Sequence, residues 1–452
     1  MNRTIVEICT MVNGRLLGGD PLTPVRHVSF DSRDIPEDTL FVPTRGARVD
    51  GHDFIEKAFA AGAAATLTER EEIPRGTHPA VLVEDTTAAL QRLAAKERMN
   101  YRGRVIGITG SVGKTTTREM VKAALSAGYT VTGSEKNMNS QLGTPVVLCH
   151  MDYEAQRAVI EMGISEPGEM KKLVSMVRPH AVAVTNIGVA HIEYLGSREG
   201  ICEEKMHIAD TLGEDGVAVL NGEEPLLTAY RDRLPGRVLT YGLEENMDVY
   251  GTNLELGDTA SFTAVFKEDG LRVPVRLSVP GRHNVMNALA ALALARAEGV
   301  DPAAAAAALE GFGGFKRRLE RIRIGELTLI DDSYNAGPPS MKAALDVLAR
   351  ATGRRIAVLA DMLELGEDSA RLHREVGEYA AALPIDLYIC MGKEIRALEE
   401  ALAEAGRTVF HTDNLEETLE LVKKVAAAGD VLLLKGSNSM RLDEIVRGLR
   451  QE

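Results

Sequence analysis

One stretch limits the fold more than any other: Arg104-Val105-Ile106-Gly107-Ile108-Thr109-Gly110-Ser111-Val112-Gly113-Lys114-Thr115-Thr116. Its β-branched, apolar start predicts a buried strand, its glycines a tight turn, and the residues from Arg118 to Ala127 a helix. Such a turn presents backbone N–H groups to a polyphosphate, and the helix N-terminus adds positive potential. Lys114 is placed to reach the β/γ-phosphates and the Thr115 hydroxyl to hold Mg²⁺. The loop is a compact P-loop, because the position where the usual spacing has its first glycine is Ile108. The pattern reads Thr109-Gly110-x-x-Gly113-Lys114-Thr115-Thr116 and needs a parallel sheet to carry it.

The rest of the chain can supply that sheet and more. At about 150 residues per domain, 452 residues predict three domains. The first, 1–100, reads as a small α/β unit, with strands at 40–43, 64–68 and 81–83 and helices at 54–61 and 86–99. The second, 101–316, continues with buried strands at 158–161, 181–185 and 217–220 separated by helical patterns, which predicts a doubly wound sheet. Alternating segments at 248–250, 261–266 and 273–277 predict an antiparallel extension, and Asn284–Arg296 an Ala-rich helix. The run Ala303–Ala308 reads as a turn of helix. The third, 317–452, alternates strands (327–330, 356–359, 387–390, 408–411, 431–434) with helices (340–350, 369–382, 394–404, 415–427, 443–449). It is Rossmann-like but lacks the Gly-x-Gly-x-x-Gly fingerprint, so its pattern names no cofactor.

Composition excludes several classes. The net charge of −14 argues against non-specific nucleic-acid binding, although local cations still bind anions at short range. Cys9, Cys149, Cys202 and Cys390 form no Cys-x-x-Cys pair, which signals neither a zinc site nor a dithiol and fits a reducing, cytoplasmic setting. The first residues have no long apolar core and do not read as a signal peptide. No stretch approaches the length of a membrane span.

Further chemistry gathers where strands end. Glu161 closes Val159-Ile160-Glu161, where an acid beside a P-loop strand reaches Mg²⁺. Asn186-Ile187-Gly188-Val189-Ala190-His191 leaves the next strand on the ligand side, and His191 offers a nitrogen ligand or a phosphate donor. Asn287 is suited to the edge of a purine, while Asn284 is placed to cap the same helix. Asp331-Asp332-Ser333-Tyr334-Asn335 sets two carboxylates at a strand exit, suited to ribose hydroxyls, an amine or a metal. Arg318, at the presumed domain junction, is placed to swing onto a phosphate when domains close. Lys205, within Glu203-Glu204-Lys205, reads from its neighbours as a solvated lysine among acids.

Taken together these residues resemble the Mur ligases, the ATP-dependent amino-acid-adding enzymes of peptidoglycan synthesis. The resemblance covers nearly the whole chain. It rests on the P-loop, Asn137-Met138-Asn139, Asn186–His191, His283-Asn284 with Asn287, Asp332-Ser333-Tyr334-Asn335-Ala336, Ala360–Gly366 and Lys435–Met440. Asp31-Ser32-Arg33 and Asp50–Phe54 match the uridine-nucleotide domain, and the Asp332 stretch points to the dipeptide-adding branch. The resemblance implies ATP and two Mg²⁺ ions, one held by Thr115 and Glu161, the other by His191 and Lys205, with Lys205 carrying a CO₂-derived carbamate. Gly110, Ser111, Val112, Gly113, Lys114, Thr115 and Thr116 would cradle the phosphates. Asn287 and Asp332 would hold adenine and ribose, and Arg318 the phosphates. Ser32 and Arg33 would lie at the uridine nucleotide, Asn137 and Asn139 at the muramoyl peptide, and Tyr334 and Asn335 at the incoming amine. The implied substrates are UDP-N-acetylmuramoyl-tripeptide and D-alanyl-D-alanine, joined by a monomer through an acyl phosphate. The chain departs from the family pattern at His207, Arg317, Gly337, Pro339 and Asn438. The alternatives are a ligase of the same kind with another amine, a folylpolyglutamate-type ligase, which lacks the Asp31-Ser32-Arg33 domain, and a P-loop switch.

Overall fold

The computed structural model describes residues 1–46, 49–71, 78–135 and 137–450. Three large sheets, formed in chain order, carry the architecture, and Arg3–Thr4 pairs with Pro24–Val25 in a small two-stranded sheet beside the first. In the first unit, strands His27–Ser29, Thr39–Phe41, Ala63–Thr68 and Ala80–Leu82 pair in parallel, with Arg15–Leu16 antiparallel at one edge. The helix Thr86–Asn100 starts at Asp85, whose carboxylate accepts the Ala88 N–H, and it leads straight into the second unit.

The second sheet has nine strands. Arg104–Thr109 lies between Arg157–Glu161 and Ala181–Val184, parallel to both. The chain runs from it to the edge strand Val131–Gly133, returns through Arg157–Glu161, then crosses to the other side. That reversal opens a crevice at the carboxyl ends of the strands, where such sheets bind ligands. Val159, Ile160, Val182 and Ala183 are fully buried, because helices cover both faces. The expected extension is a meander of Val249–Leu256, Ala260–Phe266 and Leu271–Leu277, with antiparallel pairings.

The third sheet has six strands, with Glu320–Ile324 antiparallel at the edge and the remaining five parallel. Its ligand-side loops, after Leu327–Asp332, Arg355–Ala360 and Val431–Lys435, turn towards the crevice of the second.

Several sequence expectations need amendment. Ile5–Val12 is a helix and Arg237–Gly242 a central strand, neither of them expected. Ala303–Ala308 belongs to a longer helix, Pro302–Glu310, capped by Asp301. Asn284 does not cap its helix: that helix begins at Arg282 with Gly281 in the capping position, and the Asn284 amide turns inward to the Pro280 carbonyl. The third segment's closing residues, 451 and 452, lie outside the described residues.

Candidate functional site

The P-loop takes its shape from two glycines and the strand exit beside it. Gly110 and Gly113 have φ of 146° and 85°, a region that disfavours any side chain. A Cβ on Gly110 would stand 1.8 Å from the Thr185 hydroxyl, and one on Gly113 2.8 Å from Asn287 Oδ1. The next strand's exit holds the loop from the other side. Asn186 Oδ1 accepts the Val112 N–H at 2.9 Å, and its Nδ2 returns a bond to the Val112 carbonyl at 3.1 Å. Thr185 Oγ1 donates to the same carbonyl at 2.6 Å. Lys114 Nζ folds back onto the carbonyls of Gly110 (2.8 Å) and Ser111 (3.2 Å). Burial lowers its pKa, and so does Arg318, against the opposing pull of Glu161.

Glu161 is almost fully buried, and each of its oxygens accepts a hydrogen bond. Arg118 Nη1 donates to its Oε2 at 3.0 Å and Asn139 Nδ2 to its Oε1 at 2.6 Å. Asn287 Oδ1 accepts from the Thr117 hydroxyl, and its Nδ2 donates to Asn284, which fixes the amide beside the P-loop helix. His191 has a left-handed backbone and sits 2.9 Å from Glu364 across the junction with the third unit. Its buried Nδ1 nevertheless makes no hydrogen bond of good geometry. Burial, helped by the charges of Lys205 and Lys114, lowers its pKa to about 4, so the ring is neutral at pH 7.

Lys205 contradicts the solvated reading of its neighbours. It is 1 % exposed, and Glu204 is buried too, accepting the N–H groups of Gly168 and Met170 at the start of the helix Glu169–Val177. Burial, and then the like charge of Lys114, push the Lys205 pKa well below its ordinary value. The reason is tertiary: the helix Arg198–Met206 packs one face inward, and the charge run is split between two faces.

The third unit closes the cleft. Arg318 Nη2 donates to Thr115 Oγ1 at 3.2 Å, and its guanidinium stacks 4.0 Å above the Tyr334 ring. The adjacent carboxylates part company. Asp331 is buried, accepts from Ser333 and has its pKa raised by burial. Asp332 faces the cleft, where Lys435 Nζ and the Leu319 N–H bind it.

The cleft between the second and third units has a volume of about 530 Å³ and gathers most of the expected residues. Ser111 to Thr116, Asn139, Glu161, His191, Asn287, Arg318, Asp332, Tyr334 and Asn335 all line it. Gly110, whose carbonyl receives Lys114, and Lys205, whose charge is felt at His191, do not reach its wall. Asn137 is exposed beside Asn139 and also stands outside it. So do Ser32 and Arg33 in the first unit, where Arg33 pairs with Asp31 at 2.7 Å. Sequence reasoning assigned no role to Arg118, Glu364 or Lys435, which prove to be the partners of Glu161, His191 and Asp332. Lys435 could have been found as a charged residue closing a strand, and Glu364 as one in the loop that follows a strand. Arg118 looks like any helix-surface arginine until the sheet is assembled. Two departures from the family pattern, Arg317 and Asn438, meet at 3.1 Å.

Comparison with known proteins agrees along the chain. Three family models match in succession: the "Mur ligase family, catalytic domain" over 24–98, the "Mur ligase middle domain" over 108–295 and the "Mur ligase, glutamate ligase domain" over 317–438. The UDP-N-acetylmuramoyl-tripeptide--D-alanyl-D-alanine ligase of Bacillus subtilis (strain 168) is 38% identical over 99% of this chain and 98% of its own length. The crystal structure of MurF from Acinetobacter baumannii superposes with a TM-score of 0.90 at 31% identity, covering 100% of this chain and 99% of that one. The Thermotoga maritima MurF ligase, solved in complex with ADP, gives a TM-score of 0.81 at 28% identity, over 95% of this chain and 98% of that one. With three family models matched in succession and relatives similar over nearly the whole chain, the chain belongs to the Mur ligase family.

Proposed function

We propose that this chain is an ATP-dependent, ADP-forming amide ligase that joins D-alanyl-D-alanine to UDP-N-acetylmuramoyl-tripeptide in peptidoglycan precursor synthesis. The observation that carries the reading is the contact of Arg318 with Thr115. It makes one cleft from a P-loop on the second unit and a polar strand exit, Asp332–Asn335, on the third. A nucleotide switch needs the first and not the second. The relatives are named for this reaction, and one of them holds ADP.

The division of labour follows the three units. Residues 1–100, with Ser32 and Arg33, take the uridine nucleotide. Residues 101–316 take ATP and, through Asn137 and Asn139, the peptide arm. Residues 317–452, with Tyr334 and Asn335, take the amine. Asn287 and Asp332 hold adenine and ribose. No helix among the described residues is long and apolar enough to cross a membrane, and small soluble substrates suit a cytoplasmic enzyme.

The donor set fits magnesium. Glu161 is a buried carboxylate at a strand exit, and His191 is neutral with an unsatisfied buried nitrogen. Thr115 and Glu161 would hold one ion, His191 and a carbamylated Lys205 the other. Bound Mg²⁺ supplies charge neutralisation between a carboxylate and a triphosphate that otherwise repel. Burial favours the neutral form of Lys205, the form that attacks CO₂: an N–C bond forms, a proton leaves, and the product is a hard oxygen ligand. Lys114 exchanges its loop carbonyls for phosphate oxygens. The peptide carboxylate then attacks the γ-phosphorus as the bond to the ADP oxygen breaks, giving an acyl phosphate. The free amine attacks the carbonyl carbon, phosphate leaves, and the amine loses a proton. Closure of the third unit over the cleft keeps water from the acyl phosphate.

The test is phosphate release from ATP with UDP-N-acetylmuramoyl-tripeptide, comparing D-alanyl-D-alanine with single amino acids. Release that needs both the acceptor and the dipeptide is expected. Equal release with neither present overturns the ligase reading, and a preference for a single amino acid overturns the dipeptide.

A further inference from the structure

Arg317 and Arg318 are consecutive, yet they point to different partners. Arg318 stacks on Tyr334 and reaches Thr115. Arg317 turns into the third unit. Its Nε donates to Ser333 Oγ at 3.1 Å, and its Nη2 to the Ser333 carbonyl at 2.8 Å and to Asn438 Oδ1 at 3.1 Å. The Asp443 carboxylate lies 3.4 Å away. Its main chain is tied as well: the N–H donates to Glu320 at 3.0 Å, and the carbonyl accepts the Tyr334 N–H at 3.1 Å. All this holds a backbone with φ of 62°, a left-handed conformation that an arginine adopts only when its surroundings require it.

We infer that Arg317 is a positioning residue, a clamp that fixes the Ser333–Tyr334 turn and so aims Arg318 at the nucleotide phosphates. The inference rests on the ATP-dependent ligase reading of the same cleft. Tyr334 is the platform under the Arg318 guanidinium, and both the backbone N–H of Tyr334 and the residue before it are held by Arg317. The planar fork spans Ser333, Asn438 and Asp443 at once. A lysine, with a single point charge, cannot reproduce those contacts. Without the side chain the turn keeps the bond from the Tyr334 N–H to the residue-317 carbonyl but loses its ties to Ser333, Asn438 and Asp443, and Arg318 samples many positions instead of one.

The test is the variant Arg317→Gly, which suits the left-handed backbone and so spares the fold, measured with Arg317→Lys, Arg318→Ala and the double variant. Arg317→Gly should keep the wild-type melting temperature and ADP affinity while kcat in the phosphate-release assay falls on the order of tenfold or more. Arg317→Lys should fail to restore it. In the Arg318→Ala background, Arg317→Gly should cost nothing further, since a residue acting through another loses its effect once that one is gone. Full turnover by Arg317→Gly, or losses that multiply in the double variant, would overturn the inference. Hydrogen exchange at the Tyr334 amide gives a readout that needs no turnover. It should quicken in Arg317→Gly while the Val112 amide is unchanged, and an unaltered Tyr334 amide also overturns the clamp. A wild-type protein that releases no phosphate sinks the ligase reading instead, and the exchange experiment still decides the clamp.

Discussion

Replacing Arg118 by methionine tests the electrostatic design of the P-loop region. Arg118 and Glu161 pair at 3.0 Å with side chains 2 % and 1 % exposed. Methionine keeps most of the volume and removes the charge, so a carboxylate stays buried with Asn139 and without that guanidinium. Removing one partner of a buried ion pair costs about 3–5 kcal/mol, because the stranded charge keeps its desolvation penalty. For a domain of this size 1 kcal/mol moves the melting temperature by about 2–4 °C, so the unfolding of the second unit should shift down by roughly 6–20 °C. Calorimetry is the assay, with the transition assigned by its response to ADP. The companion variant Arg118→Met/Glu161→Leu removes both charges and should recover at least half of the loss, since a well-packed apolar pair often replaces a buried ion pair at little cost. A single variant melting within about 2 °C of wild type, or a double variant worse than the single, would refute the reasoning.

Lys114→Ala should abolish ATP-dependent phosphate release while the far-ultraviolet circular dichroism and the melting temperature stay near wild type, because among the described residues Lys114 bonds only to loop carbonyls. Lys205→Ala should be nearly inactive, and short carboxylic acids such as formate should restore part of the rate if the buried position needs an oxygen ligand; a fully active variant removes the carbamate. Acid should destabilise the fold well above the carboxylate range. His150 and His283 both have pKa values lowered to about 4 from 6.5, chiefly by burial. The unfolded chain therefore binds more protons between those values, so the stability they contribute is present above pH 6.5 and is lost as the pH falls towards 4. A melting temperature that is flat from pH 6.5 to 4.5 contradicts this.

The legible part of the molecule is the part whose signal is local. Strands such as 104–109, 181–184 and 431–435 are runs of β-branched or leucine-rich residues bounded by turn chemistry, and they were found nearly to the residue. The P-loop and Asp332 were visible because strand ends on the ligand side expose polar residues. The rest depends on partners far away in the chain. Lys205 looked solvated because Glu203, Glu204 and Lys205 are adjacent, yet a helix spreads adjacent residues over different faces, and the inward face belongs to Glu204 and Lys205. Arg118 finds Glu161 43 positions away. Glu320–Ile324 alternates charge and isoleucine as an edge strand should, but it adjoins a cluster of arginines that reads as a junction, and only pairing with Leu327–Asp332 reveals it.

Apolar burial also decides which unit can move. One hydrophobic cluster runs from Ile5 through Leu90 and Val146 to Leu227, across the boundary near residue 100. Polar ties reinforce it: the Met1 ammonium donates to the Cys149 carbonyl at 2.8 Å, the Val28 N–H to His150 Nε2 at 3.0 Å, and Arg98 to the carbonyls of Val177 and Arg178 at 2.7 and 3.0 Å. Separating the first two units would expose that core, so they act as one body. The third unit keeps its own two clusters, and Val189 is the second-unit residue that packs against them among the described residues. Its other ties to the second unit include Arg318 to Thr115, Glu364 to His191 and Arg321 to Asp258, all polar contacts that water can replace at small cost. The connection between them passes Gly314, Arg317 and Leu319, with φ of 82°, 62° and 53°, so the turns that aim the junction are concentrated in a few residues. The physical consequence is an order of events. On the proposed assignment, the rigid pair would present the sites for the uridine nucleotide and ATP whether or not the cleft is closed, whereas Arg318 and the proposed amine residues Tyr334 and Asn335 sit together on the third unit. On that reading, activation of the carboxylate and exclusion of water would depend on the same closure, so that an acyl phosphate would form only where its attacker is already being delivered.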